Sequence, residues 1–252
     1  ATSAFACGVG VWATHFIAML AYDGGMPISY DLGLAFLSVF LSIFGAWVAI
    51  LIASEGRSYS FAFGGVLMAL GIMAMHMTGM QAIEAQAIVV YDAFMSVVAF
   101  CSCAALATIA FLAFFKLKGM KRFAASSGAF VLAICLLHFI SMSSIALVPD
   151  ATREVPAMTL QPQVLAAIVM AVATGLILMA FGAVFLESHL TDLRGLANVS
   201  QEGLVILREG KIIDTNERFL ALSGWKLSEL TGNIPSSVLA LIHAERESEH
   251  EE

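Results

Sequence analysis

Six apolar runs of roughly 20 residues each dominate this sequence, and a chain with that many can satisfy them only by crossing a bilayer as helices. They lie near residues 3–22, 32–53, 61–84, 93–115, 124–148 and 163–187. The breaks carry turn chemistry: Asp23-Gly24-Gly25 with Pro27, Glu55-Gly56-Arg57, Lys118-Gly119, and Pro149-Asp150 through Pro162. A hydrophobic content of 60% against 12% charged residues excludes a soluble globule. The expected fold class is an all-α integral membrane helix bundle.

Basic residues orient it. Arg57 lies in the second break, Lys116, Lys118, Lys121 and Arg122 in the fourth, and Arg194 beyond the sixth run, whereas the first and third breaks have no Lys or Arg and the fifth has Arg153. By the positive-inside rule the even breaks and the C-terminal part are cytoplasmic, so the first, third and fifth helices run outward. The net charge of −7 owes much to Glu245–Glu252, and no basic stripe suggests a nucleic-acid partner. Cys7, Cys101, Cys103 and Cys135 all sit in apolar runs without a CxxC pair, and read as small buried hydrophobes. The chain opens inside an apolar segment without an initiator Met, from which we expect a truncated start.

An internal repeat is superimposed on the spans. His15 is followed four residues later by Met19, His76 by Met80 and His138 by Met142, with 61 and 62 residues between successive histidines. On a helix, positions i and i+4 share a face, so each copy points an imidazole and a thioether the same way. The histidines fall seven to twelve residues before the expected outer ends, at similar depth. Each copy contains two spans, so the copies keep one orientation and their pairs can converge about an axis along the membrane normal. Small residues recur at fixed offsets: Gly10, Gly71 and Ala133 five before the histidine, and Ala18, Gly79 and Ser141 three after it. Tyr30-Asp31 and Tyr91-Asp92 recur as well, while the third copy has Arg153-Glu154 there.

Ionisable groups inside a membrane are costly and tend to be functional. Imidazole with thioether is a borderline-to-soft donor set that suits copper, and the motifs lack the carboxylates that hard cations need. The candidate metal ligands are His15, Met19, His76, Met80, His138 and Met142. Met75 adjoins His76 but points about 100° away, which ranks it lower. Cys135, three before His138, reads as a core residue. Two alternatives stay open: haem held by two of the histidines, and a metal or proton transporter using them as a relay.

The run M-H-M-T-G-M at Met75–Met80, with its threefold H-x-x-x-M repeat on alternate helices, resembles the MHYT family of bacterial integral membrane sensor domains. That resemblance covers residues 1–187. It implies seven spans, one of them before Ala1, and a copper site built from the motif Met and His residues and proposed to sense a diatomic gas (O2, CO or NO). Thr14 and Leu137 stand where the motif has its first methionine, and Met77 takes its aromatic position. Residues 188–197 read as a helical linker, where Leu186, Leu190, Leu193 and Ala197 form a weak seam that could hold a homodimer. Residues 198–252 resemble the first half of a PAS domain followed by an acidic tail: N-V-S-Q-E-G-L-V-I-L, G-K-I-I-D-T-N-E-R-F and S-G-W-K-L-S-E-L-T-G. Strands are expected at 203–208 and 211–215 and a helix at 216–222. Together these imply a sensory input module in a bacterial cytoplasmic (inner) membrane, its partners the lipid bilayer, a gas ligand and a downstream cytoplasmic signalling domain. No catalytic constellation accompanies them, and an enzyme is not expected within this chain.

Overall fold

The apolar runs form six helices: α1 (Thr2–Leu20), α2 (Leu32–Ala53), α3 (Ser58–Gln81), α4 (Ala93–Lys116), α5 (Gly119–Ser143) and α6 (Pro162–Val199). All are long and apolar enough to cross a membrane, α6 through Pro162–Leu186. The computed structural model describes residues 2–150, 152, 159–199, 203–208, 211–226 and 230. The chain divides into two compact units, Ala1–Ile177 and Leu178–Glu252.

In the first unit, packing follows the logic of lipid. Hydrocarbon solvates leucine as well as a protein core does, so helices approach where side chains are small. The buried residues of α2 are Ala35, Ser38, Ser42, Ala46, Ala49 and Ala53, three or four apart. Its large side chains Phe36, Phe40, Phe44 and Trp47 are exposed. The same inversion governs α4, which buries Ala99, Cys103, Ala107, Ala110 and Ala113. α2 lies between α1 and α3, α4 lies between α3 and α5, and α1 and α5 each reach α3. α2 and α3 cross at two glycines, where a Cβ on Gly45 would stand 2.6 Å from Gly71 Cα. α1 is tied to α2 by polar side chains: Trp12 Nε1 donates to Ser38 Oγ at 3.1 Å, and Ser42 Oγ donates to the Gly8 carbonyl at 2.8 Å.

Two spans differ from their expected limits. α3 runs from Ser58 to Gln81 rather than 61–84, and α5 from Gly119 to Ser143 rather than 124–148. The chain beyond them forms strands: β1 (Ser29–Tyr30) pairs antiparallel with β2 (Ile83–Glu84), and β3 (Ala87–Tyr91) with β4 (Ile145–Pro149). Residues such as Ile88, Val89, Val90 and Tyr91 favour a pleated surface, and apolarity alone does not separate such a strand from the end of a helix. The shift raises the histidines relative to the helix ends: His15, His76 and His138 each precede the last helical residue by five, not seven to twelve. It also moves Lys121 and Arg122 out of the break and into the first turn of α5.

The recurring aspartates have a structural role. Asp31 caps α2 by accepting from Leu34 N, and Asp92 caps α4 by accepting from Phe94 N and Met95 N. Arg153-Glu154 of the third copy lies outside the described residues. The cysteines are free and not uniformly buried: Cys103 is, Cys7 and Cys135 are half-buried, and Cys101 is exposed on a helix face that lipid can cover.

In the second unit, β5 (Val205–Arg208) and β6 (Lys211–Thr215) form an antiparallel hairpin, followed by α7 (Glu217–Ser223). Asn216 Oδ1 accepts from Leu204 N at 2.8 Å and from Phe219 N at 2.9 Å, joining the strand to the helix start. Gly224 ends α7 with φ +74°. Ile212 and Leu230 are buried together against Val205, Phe219 and Leu220. The backbone of α6 is helical through Val199, while the side chains of Leu190, Leu193 and Ala197 and the acidic tail lie outside the described residues.

Replacing Trp12 by Phe keeps the ring and removes its donor, and should cost about 1 kcal/mol in reversible unfolding from detergent micelles. Gly45→Ala, which forces α2 from α3, should cost more, about 1–3 kcal/mol.

Candidate metal centre

Each histidine is carried by a different odd-numbered helix, at the same distance from its end, and all three are buried. They meet. His15 Nδ1 lies 3.2 Å from His76 Nδ1 and 3.3 Å from His138 Nδ1. The ring centroids are 5.0–5.5 Å apart and the planes cross at 77–89°, so the imidazoles converge edge-on from three directions. One nitrogen from each lies within 4.8 Å of the others, the one such His/Cys/Asp/Glu group of three among the described residues.

Hydrogen bonding within the protein does not complete this cluster. A neutral imidazole nitrogen carries one proton or one lone pair, so His15 Nδ1 cannot make a linear hydrogen bond to both neighbours. His15 Nε2 and His76 Nε2 are buried without a partner, as is Ser141 Oγ, three residues beyond His138. A cation held by the converging Nδ1 atoms would take up their lone pairs, each Nε2 then carrying its ring's proton. Nitrogen donors held 2.0–2.1 Å from a tetrahedral metal lie about 3.3–3.4 Å apart, close to the separations found here.

A cavity of about 260 Å³ adjoins the cluster. Its wall includes all three histidines and the residue before each one, Thr14, Met75 and Leu137. Met75, ranked lower for its angular offset, thus lines the cavity, and so does Cys135. Met19, Met80 and Met142 are not among the lining residues. The residue at i+4 stands a full turn, about 6 Å, nearer the helix end than its histidine, whereas the preceding residue keeps nearly the same depth. Met19 and Met80 are fully buried there and Met142 is half-buried. Above that level Tyr30 of β1 meets Phe16 with ring centroids 6.1 Å apart, and Phe16 meets His15 at 4.9 Å. Burial pushes the Tyr30 phenol up, so it remains neutral above the cluster.

One neighbour was legible only as a small residue. A Cβ on Gly79 would stand 2.5 Å from His15 Nε2 and 3.0 Å from His15 Cδ2, so α3 admits the His15 ring because it has no side chain there. The equivalent positions carry Ala18, which lines the cavity, and Ser141.

Comparison with known proteins agrees with this architecture. The family model for MHYT, a bacterial signalling protein N-terminal repeat, matches residues 8–65 and again 70–126, and a PAS domain model matches 191–252. Residues 8–126 belong to the MHYT family. The third copy, with His138, lies beyond the matched MHYT residues, yet its histidine closes the cluster formed by the other two. An uncharacterized signaling protein of Caulobacter vibrioides is 38% identical over 89% of this chain and 29% of its own length. Two Pseudomonas aeruginosa proteins match about a third of the chain: the bifunctional diguanylate cyclase/cyclic di-GMP phosphodiesterase MucR at 41% identity, and the cyclic di-GMP phosphodiesterase NbdA at 36%. These matches cover 13% and 12% of those proteins, and the chain spans less than a third of the length of each relative named here. No solved structure matches. The chain therefore carries the MHYT and PAS domains of a signalling protein related to cyclic di-GMP signalling proteins, without a matched catalytic domain.

If Gly79 seats His15, Gly79→Ala should destabilise the bundle by about 1–3 kcal/mol. In a double-mutant cycle, His15→Ala should relieve part of that loss. Additive costs, measured by reversible unfolding, would show that the two residues do not touch.

Proposed function

We propose that this chain is the membrane sensory input module of a bacterial signalling protein, with copper as its resident ion. His15, His76 and His138 would hold the ion and Met75 would offer a thioether. The observation that carries the reading is the approach of His15 Nδ1 to two other buried imidazole nitrogens, which one proton cannot bridge linearly. Neutral imidazole and thioether together favour copper over magnesium or calcium. When bound, the ion supplies a Lewis-acidic position at which a diatomic gas such as O2, CO or NO can be taken up. The protein's own part is to fix three nitrogens from three helices and to line the adjoining cavity with Ile72, Ile134 and Leu137, a wall that admits small apolar solutes. Ligands that favour one packing of α1, α3 and α5 over another shift the balance between them. The cytoplasmic PAS domain and a cyclic di-GMP output are the destination of that shift, in an inner-membrane protein whose basic connections face the cytoplasm.

Haem fits the site less well than a single ion. Two axial nitrogens must stand on opposite faces of a porphyrin, whereas these rings approach edge to edge with no slot between them.

Elemental analysis and optical spectra of the purified full-length protein test the reading. Copper should copurify, and His15→Ala, His76→Ala and His138→Ala should each lower its affinity at least about tenfold. Met75→Leu should weaken it and Met142→Leu should leave it unchanged. Copper content indifferent to all three histidine changes would refute the reading, and bound iron with a Soret band would replace it with haem.

A further inference from the structure

A second cavity, of about 440 Å³, lies at the opposite end of the bundle from the histidines, among the ends of α1, α2, α4 and α5. Phe111, Phe114 and Phe115 of α4 and Phe123 and Phe130 of α5 stand in its wall. The copper reading makes no use of it. Basic residues gather at the same end: Arg57 directly precedes α3, Lys116 closes α4, Lys118 directly precedes α5, and Lys121 and Arg122 occupy its first turn.

The positive-inside tendency accounts for these cations as a group. It does not account for the placing of Arg122, whose guanidinium carbon sits 3.8 Å from the Phe114 ring centroid and 5.5 Å from that of Phe123. Both rings belong to the cavity wall, and Arg122 Nε is buried without a hydrogen-bond partner. Lys116 Nζ is similarly drawn to Phe61, at 5.9 Å, and Phe61 stacks on the wall residue Phe115 at 5.2 Å. Arg122 thus lies along an aromatic cavity, and the exposed Lys116 stands one ring beyond its wall. An amphiphile with a negative head and a long apolar tail satisfies both features at once. Basic pockets between membrane helices recognise such headgroups by charge-assisted hydrogen bonds.

We propose that this cavity binds an anionic phospholipid of the surrounding bilayer, with an acyl chain against the phenylalanines and the phosphate on Arg122 and Lys116. The bound lipid would brace α4 and α5 against the ends of α1 and α2.

Native mass spectrometry of the full-length protein, with phosphatidylglycerol and phosphatidylcholine added in equal amounts, tests this. The unaltered protein should retain phosphatidylglycerol at least about tenfold more tightly. Arg122→Gln should remove most of that preference and Arg122→Lys should keep part of it. Ser126, half-buried in the cavity wall, can be enlarged: Ser126→Trp should reduce retention of both lipids by filling the space. Gel filtration and circular dichroism identify variants that have not folded, and the two positions attack the site independently. Equal retention of the two lipids by the unaltered protein overturns the proposal. So does a preference that survives Arg122→Gln. A preference lost with Arg122→Gln while Ser126→Trp leaves the retention of both lipids unchanged reduces it to surface attraction and overturns the cavity.

Discussion

Inside hydrocarbon, a polar atom without a partner has no water to fall back on, and the histidine cluster exists under that constraint. Three imidazoles placed separately in lipid would each carry an unmet donor or acceptor. Brought together they partly satisfy one another, but His15 Nδ1 faces two imidazole nitrogens and one proton or lone pair can serve only one of them linearly, so one contact is left over. The remainder is the chemical reason to read the cluster as a site. A merely structural histidine would have been paired by a carbonyl or hydroxyl, as Trp12 is by Ser38 and Ala35.

The rest of the bundle can be understood as the means of bringing those rings level. Small residues on α2 and α4 let these helices serve as close spacers between α1, α3 and α5. Gly45 against Gly71 sets α2 tightly on α3, and Gly79 leaves room for His15 beside the same helix. Short strand pairs then join the chain just beyond the helix ends: β1 with β2, and β3 with β4. Each pair links segments from different repeats, fixing the odd helices relative to one another on the side where the histidines lie.

The two ends of the bundle differ in chemistry. Beyond the histidines the connections carry Asp23, Asp31, Glu84, Asp92 and Asp150, two of them spent as helix caps. At the other end stand Arg57, Lys116, Lys118, Lys121 and Arg122, beside a cavity walled by phenylalanine. The metal reading and the lipid reading thus concern separate places, and each stands or falls without the other.

Much of this was written in the chain itself. Periods of apolarity of bilayer length determined six spans, and the spacing of His15, His76 and His138 determined that three odd helices would present them at one depth. The hairpin and helix at 205–223 followed from local alternation and the capping residue Asn216. Tertiary structure decided what periodicity could not. Angular reasoning on one helix reaches the methionine a turn away on the same face and says nothing of the neighbour beside the histidine. Only the convergence of three helices showed that the residues beside the histidines, Thr14, Met75 and Leu137, border the cavity. Likewise the strands at 83–91 and 145–149 are apolar segments whose pairing partner lies in another repeat, so nothing local distinguishes them from helix. The sequence set which groups enter the membrane and how deep, because those depend on length and composition. Which atoms touch depended on the crossing of helices distant in the chain, and that is a property of packing alone.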